Sequence, residues 1–128
     1  MKKFLLSAIV AMSLALPAFA ATELTDETVD QTIQTALLEQ KSVVVVFYAD
    51  WCGACQKLKP MLEKAEKAVG KQATFYKVNV DKAPRASAGI QGIPFFLIIN
   101  GKTGQMATGQ GVPPSQAEFE KALKAITK

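Results

Sequence analysis

Apolar residues occur along this chain in two ways, as short continuous runs and as helical repeats. Residues 43–47 read Val-Val-Val-Val-Phe, which is typical of a central strand buried on both faces. From Gln56 onward, apolar residues recur at spacings of three or four, the period of an amphipathic helix. These residues are Leu58, Leu62, Ala65 and Val69. The pattern predicts a buried strand that leads into a long helix, with a kink at Pro60 and an end at Gly70.

The rest of the pattern predicts two further helices and three further strands. Thr25 is a suitable N-cap for a helix that ends near Lys41, and Ser115 with Glu118 has the capping-box pattern of a last helix. The other strands are predicted over residues 73–80, 95–99 and 105–109, with a helical turn over residues 83–89. The order is αβαβ followed by ββα, which predicts an α/β fold with helices on both faces of one sheet.

Residues 1–20 have the three regions of a bacterial secretory signal peptide. Lys2 and Lys3 supply the charged start, an apolar stretch covers residues 4–16, and small residues occupy positions 18 and 20. The apolar stretch is short for an uncleaved membrane anchor, which needs about 20 residues. We therefore expect cleavage after Ala20, a single mature domain over residues 21–128 without stable membrane insertion, and a periplasmic location.

Cleavage would change the charge of the protein. The full chain of 128 residues carries 15 basic and 11 acidic side chains, a formal net charge of +4. Without Lys2 and Lys3, 13 basic side chains remain against the same 11 acidic ones, which leaves +2. This balance is too mild to indicate a nucleic-acid partner, because the Lys and Glu residues are interspersed as on ordinary solvated helix faces. The mature length suits one domain with one core.

Two cysteines, Cys52 and Cys55, lie at the predicted junction between the strand and the helix, separated by two residues. A pair at this spacing can open and close a disulfide. At a helix start, the unpaired backbone N–H groups and the positive end of the helix dipole favour an anion, and the thiolate is the nucleophilic form of cysteine. Cys52, nearer the helix start, is therefore the candidate nucleophile, and Cys55 is the candidate resolving thiol.

Other uses of a cysteine pair fit this sequence less well. A zinc site needs about four ligands, and the chain has no histidine and no further cysteine, so we expect no metal. A structural disulfide over so short a loop would constrain little of the unfolded chain. Inert buried thiols suit a reducing compartment rather than an exported protein. The lack of histidine also excludes a Cys–His protease, whereas a non-catalytic binding or chaperone module remains an alternative.

The residues around the cysteines resemble those of the thioredoxin family. The chain reads Phe-Tyr-Ala-Asp-Trp-Cys-Gly-Ala-Cys over residues 47–55, with Pro60 five residues later and Gly-Ile-Pro at residues 92–94. The resemblance extends over residues 29–126. It implies the thioredoxin fold, with a central mixed β-sheet, and a monomeric thiol-disulfide oxidoreductase that acts on protein thiols and disulfides. No cofactor is implied besides the redox-active Cys52–Cys55 disulfide.

The resemblance also implies roles for the residues beside the cysteines. Pro94 is expected to be cis and to lie against the cysteine pair, and with Ile93 it is expected to shape a groove for an extended substrate segment. Trp51, Gly53 and Ala54 are expected to complete the substrate-binding surface. Ala54 stands where thioredoxins commonly have proline, and this position alters the relative stability of thiolate and disulfide.

Residues 48–55 are also similar to the periplasmic thioredoxin-like domain of the bacterial membrane thiol-reductant transporter. This similarity favours a protein that relays electrons or reduces disulfides, with a membrane thiol-reductant transporter as its electron donor. The alternative is a disulfide oxidant or isomerase, which uses the same two cysteines and differs in redox poise.

Position 46 departs from the thioredoxin pattern. Thioredoxins usually carry a buried Asp six residues before the first cysteine, where it assists proton transfer from the resolving thiol, and here that residue is Val46. Lys77 matches the lysine that normally approaches this Asp, so the chain keeps the cation and lacks the acid. A lone, partly buried ammonium is costly, and we expect it to be neutralised or turned toward solvent. We also expect either slower deprotonation of Cys55 or removal of its proton by water or by a different group. Asp50 is the nearest acid in sequence, and its neighbours indicate a solvated loop position.

Overall fold

The computed structural model describes residues 21–128, and within them the chain forms five strands and three α-helices. The strands are β1 (Thr22–Leu24), β2 (Ser42–Tyr48), β3 (Ala73–Asn79), β4 (Phe95–Ile99) and β5 (Met106–Gln110). The helices are α1 (Val29–Leu38), α2 (Gly53–Val69) and α3 (Gln116–Thr127), and a 3-10 helix over Gly70–Gln72 follows α2. The predicted signal peptide and its cleavage site lie outside the described residues.

The five strands form one mixed sheet in the order β1-β3-β2-β4-β5. Strands β1, β3 and β2 are parallel, whereas β4 is antiparallel to β2 and β5 is antiparallel to β4. The central strand is β2, and its residues 42–47 are all buried. The continuous apolar run thus forms the middle of the sheet, as predicted.

Helices cover both faces of this sheet, which confirms the predicted arrangement. Successive side chains of a strand point to opposite faces, so β2 contributes to two cores, one on each face, rather than to the single core expected from the length. Val45 packs with residues of α1 on one face, and Val46 packs with residues of α2 and α3 on the other. Leu58 of α2 and Leu123 of α3 are fully buried in the second core. Each such side chain contributes about 1.5–3 kcal/mol by leaving water.

Two details of the N-terminal region differ from the sequence-based prediction. Strand β1 was not predicted, because three residues are too short to show a period and its pairing partner lies in β3. Helix α1 begins at Val29 rather than directly after Thr25. The carbonyl of Thr25 accepts hydrogen bonds from the N–H groups of Thr28 (3.2 Å) and Val29 (3.0 Å), so Thr25 begins a turn that precedes the helix.

Several predicted helix boundaries are confirmed. Gly70 ends α2 with a φ of 60°, a conformation that glycine adopts without steric cost. Ser115 caps α3, because its side chain accepts a hydrogen bond from the N–H of Glu118 at 3.1 Å. Helix α2 continues through Pro60, and the kink expected there stays a prediction.

Candidate functional site

The cysteine pair lies where β2 ends and α2 begins. Cys52 is the N-cap of α2, and its Sγ accepts a hydrogen bond from the backbone N–H of Cys55 at 3.1 Å. The N–H of Cys52 donates to the carbonyl of Ala49 at 3.2 Å, which turns the chain from the strand into the helix. The two sulfurs form a disulfide between Cα atoms 5.2 Å apart, and both cysteines are buried. Backbone groups of the helix start thus face the Cys52 sulfur, an environment that favours a thiolate.

The Ile93–Pro94 segment lies beside Cys52. Its peptide bond is cis, as the resemblance implies. The carbonyl oxygen of Ile93 is 3.9 Å from Cys52 Sγ. Pro94 is almost fully buried, whereas Ile93 is half-buried and packs against the cluster that contains both cysteines. The accessible part of this segment is therefore the backbone and side chain of Ile93, with Pro94 as support beneath it.

The exposed side of the site is formed by Trp51, Gly53 and Ala54. Trp51 is 71% exposed, so it does not belong to the core. Its indole Nε1 donates a hydrogen bond to Asp81 Oδ2 at 2.8 Å, which restricts the ring beside the cysteines. Asp81 is not among the site residues that the sequence pattern indicates. The signal that could have found it is the predicted topology. Trp51 follows β2 and Asp81 follows β3, and neighbouring parallel strands end at the same edge of a sheet.

Val46 occupies a buried position opposite Lys77 in the register of β2 and β3. The expectation that Lys77 is a lone ammonium is wrong. Its Nζ lies 6.0 Å from the centre of the Tyr48 ring, and β1 brings Glu23 opposite Lys77. Glu23 in turn accepts a hydrogen bond from the Tyr48 hydroxyl. Burial, followed by this hydrogen bond, raises the pKa of Tyr48 to about 12, so the phenol stays protonated at neutral pH.

Asp50 is exposed, as its sequence neighbours predict. The hydrogen bond that Asp50 accepts from the Gln56 side chain, at 3.4 Å, goes to its backbone carbonyl. Within residues 21–128, no cluster of three or more His, Cys, Asp or Glu side chains could hold a metal ion. In the same residues, no helix is both long and apolar enough to cross a membrane.

Comparison with known proteins identifies the family. The family model for thioredoxin matches residues 20–125 of the chain. This chain belongs to the thioredoxin family. Thioredoxin 1 of Chlorobaculum tepidum is 34% identical over 102 residues, which cover 78% of this chain and 97% of that relative. Thioredoxin of Rhodospirillum rubrum is 39% identical over 79 residues, which cover 59% of this chain and 74% of that relative.

Solved structures give the same result for the fold. Mitochondrial thioredoxin 3 of Saccharomyces cerevisiae, in its oxidised form, superimposes with a TM-score of 0.68 at 27% identity. The match covers 86% of this chain and 99% of that structure. The protein therefore has the thioredoxin fold. As a family member with the cysteine pair in place, it is a thiol-disulfide oxidoreductase that acts on protein thiols and disulfides through its own disulfide, without a further cofactor.

Proposed function

We propose that this thioredoxin works in the periplasm as a reductant of protein disulfides, with Cys52 as the nucleophile and Cys55 as the resolving thiol. The assignment of Cys52 as the nucleophile rests on its position at the N-cap of α2. Its Sγ accepts a backbone hydrogen bond there, which favours the thiolate. The signal-peptide pattern of residues 1–20 supports export and cleavage after Ala20.

The reaction proceeds in two exchange steps. The Cys52 thiolate attacks one sulfur of a substrate disulfide, a mixed disulfide forms, and the other substrate sulfur leaves as a thiolate. Cys55 then loses its proton and attacks the Cys52 sulfur, which forms the Cys52–Cys55 disulfide and releases the second substrate thiolate. Two electrons pass to the substrate, and its two thiolates take up protons from the Cys55 thiol and from water.

The residues around the pair suit a protein substrate. Trp51, Gly53 and Ala54 form an exposed, uncharged surface on one side of Cys52, and Ile93 borders it on the other. An extended substrate segment can lie along the backbone of Ile93 with its disulfide at Cys52. The buried Pro94 supports that backbone from below.

Each turnover leaves the protein oxidised, so a steady supply of two electrons is needed. We propose a membrane thiol-reductant transporter as the donor, because residues 48–55 are similar to the periplasmic thioredoxin-like domain of such a transporter. The donor would reduce the disulfide by the same exchange in reverse. The protein is proposed to act as a monomer.

The equilibrium potential of the cysteine pair tests the direction of electron flow. It is measured in glutathione buffers, with thiol trapping of the chain that begins at Ala21. A potential near that of thioredoxin, about −270 mV, supports a reductant, whereas one near about −120 mV supports the alternative of a disulfide oxidant. Mass determination of the protein from a periplasmic fraction tests export and cleavage separately, since the proposal expects Ala21 as its first residue.

A further inference from the structure

Tyr48 packs against the buried cluster formed by Ala49, Cys52 and Cys55. It is the last residue of β2, two positions after Val46, so its side chain lies on the same face of the sheet as Val46. That face is covered by α2, whose first turn contains Cys55. The phenol ring therefore lies between the end of the sheet and the start of the redox-active helix.

Charged side chains from β1 and β3 contact Tyr48 away from the cysteines, one at the hydroxyl and one at the ring. The hydroxyl donates a hydrogen bond to the carboxylate of Glu23 in β1. The ammonium of Lys77 in β3 lies 6.0 Å from the ring centre, the outer limit of a cation–π contact. Glu23 and Lys77 are opposite each other in the strand register, and Asp50 is the third charged group that acts on Tyr48. The ring is thus held by the backbone at one end and by Glu23 at the other.

We propose that Tyr48 is a positioning residue of the redox site, in which Glu23 holds the hydroxyl so that the ring keeps water away from the Cys55 thiol. The inference rests on the proposed role of Cys55 as the resolving thiol. A thiol that is kept from water ionises less readily, because its thiolate loses hydration. The Tyr48–Glu23 pair therefore sets the pH at which Cys55 becomes reactive.

Three variants separate the effect of the Tyr48–Glu23 hydrogen bond from the effect of the Glu23 charge. Tyr48→Phe and Glu23→Ala both remove the hydrogen bond, whereas Glu23→Gln keeps an acceptor oxygen in place and removes only the charge. Each is combined with Cys52→Ser, so that Cys55 is the only thiol, and the rate of its alkylation by iodoacetamide is followed across pH. The midpoint of the profile reports ionisation of Cys55, and the plateau at high pH reports access of the reagent.

Loss of the Tyr48–Glu23 hydrogen bond is expected to lower the midpoint of the alkylation profile by at least half a pH unit and to raise the alkylation rate at its high-pH plateau. This shift corresponds to about a threefold larger thiolate fraction below the midpoint. Glu23→Gln is expected to retain the midpoint of the Cys52→Ser parent. Asp30→Asn, which removes an exposed acid from α1, is the control for a change of one charge and is expected to have no effect.

An unshifted midpoint in either Tyr48→Phe or Glu23→Ala would overturn the proposal. If the midpoint shifts as much in Glu23→Gln as in Glu23→Ala, the proposal is also overturned. The charge of Glu23, rather than its hydrogen bond to Tyr48, would then act on Cys55. Circular dichroism of each variant confirms that it is folded before its profile is used. The role of Cys55 is tested independently by whether Cys55→Ser accumulates a mixed disulfide, so the two failures are distinguishable.

Discussion

The chemistry of the site depends on how the backbone holds two sulfur atoms. Cys52 Sγ accepts the N–H of Cys55 at 3.1 Å and lies 3.9 Å from the carbonyl of Ile93. The N–H of Cys55 is a donor that stabilises a thiolate at Cys52. The carbonyl of Ile93 is an acceptor beside the position proposed for the substrate. Local backbone geometry therefore distinguishes the two cysteines, although they are chemically identical.

Replacement of the resolving thiol is expected to stop the reaction at its intermediate. Reduced Cys55→Ser should accumulate a mixed disulfide with a disulfide-containing protein such as insulin, because no second thiol attacks Cys52. Cys52→Ser should form no such adduct under the same conditions, and both variants should reduce insulin only at the background rate. Non-reducing electrophoresis measures the adducts. Equal adduct formation by the two variants would refute the assignment of roles.

The buried site of Val46, opposite Lys77, allows a direct test of the missing acid. Val46→Asp is expected to speed the attack of Cys55 on a mixed disulfide, because a general base contributes typically 10²–10⁴-fold when well placed. It is also expected to lower stability at neutral pH, since a carboxylate is then buried. Stopped-flow measurement of substrate release gives the rate, with Val46→Asn as the control that lacks a base. If wild type and Val46→Asp resolve equally fast, proton removal from Cys55 is not limiting.

Among the helices, α3 depends on a cap at its start. Ser115 Oγ accepts the N–H of Glu118, one of the donors that a helix start leaves without a backbone partner. Ser115→Ala is expected to lower the free energy of unfolding by about 1 kcal/mol, whereas Ser115→Asp should retain it. Urea denaturation measures the difference. Equal losses in both variants would show that the cap hydrogen bond does not stabilise α3.

Helix α2 carries a carboxyl group in an unfavourable position. Among residues 21–128, Glu66 Oε2 has no hydrogen-bond partner although it is buried, and burial, with a smaller effect from the charge of Glu63, raises the pKa of Glu66 above its usual range. Well below the ordinary pKa of a glutamate carboxyl, Glu66 is protonated in both the folded and the unfolded state, so its burial carries no charge penalty. As pH rises through the folded-state pKa, the unfolded state loses its proton more readily and stability falls.

Glu66→Gln is therefore expected to stabilise the protein at pH 7 and to have little effect near pH 4. Urea unfolding across this range measures the trend. Glu63→Gln is the matched control, and it should give only a minor part of the gain because its charge is the smaller cause. A gain from Glu66→Gln that is constant with pH would contradict this account.

On the scale of the whole molecule, the large core that stabilises the fold and the cysteines of the redox reaction lie in different parts of the interior. Leu123 of α3 is fully buried in the core that α2 and α3 form on the sheet, and the cysteines belong to a separate cluster. Leu123→Ala is expected to cost about 2–5 kcal/mol of unfolding free energy. The redox potential of the folded variant should be unchanged in glutathione buffers. A shifted potential would show that the two clusters are coupled.

The thioredoxin assignment follows from local sequence patterns, together with the distant Gly-Ile-Pro at residues 92–94. The run over residues 43–47, the helical repeat after Gln56 and the cysteines between them are local patterns, and local patterns are set by burial and helix periodicity. Val46 could likewise be identified as a departure from the family by counting back from Cys52. The pairing of β1 could not be predicted, since three residues gain their stability only from β3.

By itself, the sequence of this protein determines the α/β order, the junction that carries the cysteines and the membership of the thioredoxin family. The tertiary structure decides which distant residues reach that junction. Asp81 meets Trp51, and Glu23 meets Tyr48, because parallel strands align the ends of separate segments. Such contacts depend on the order of the strands in the sheet, which arises from packing across the whole sheet and is not encoded in any local period of the chain.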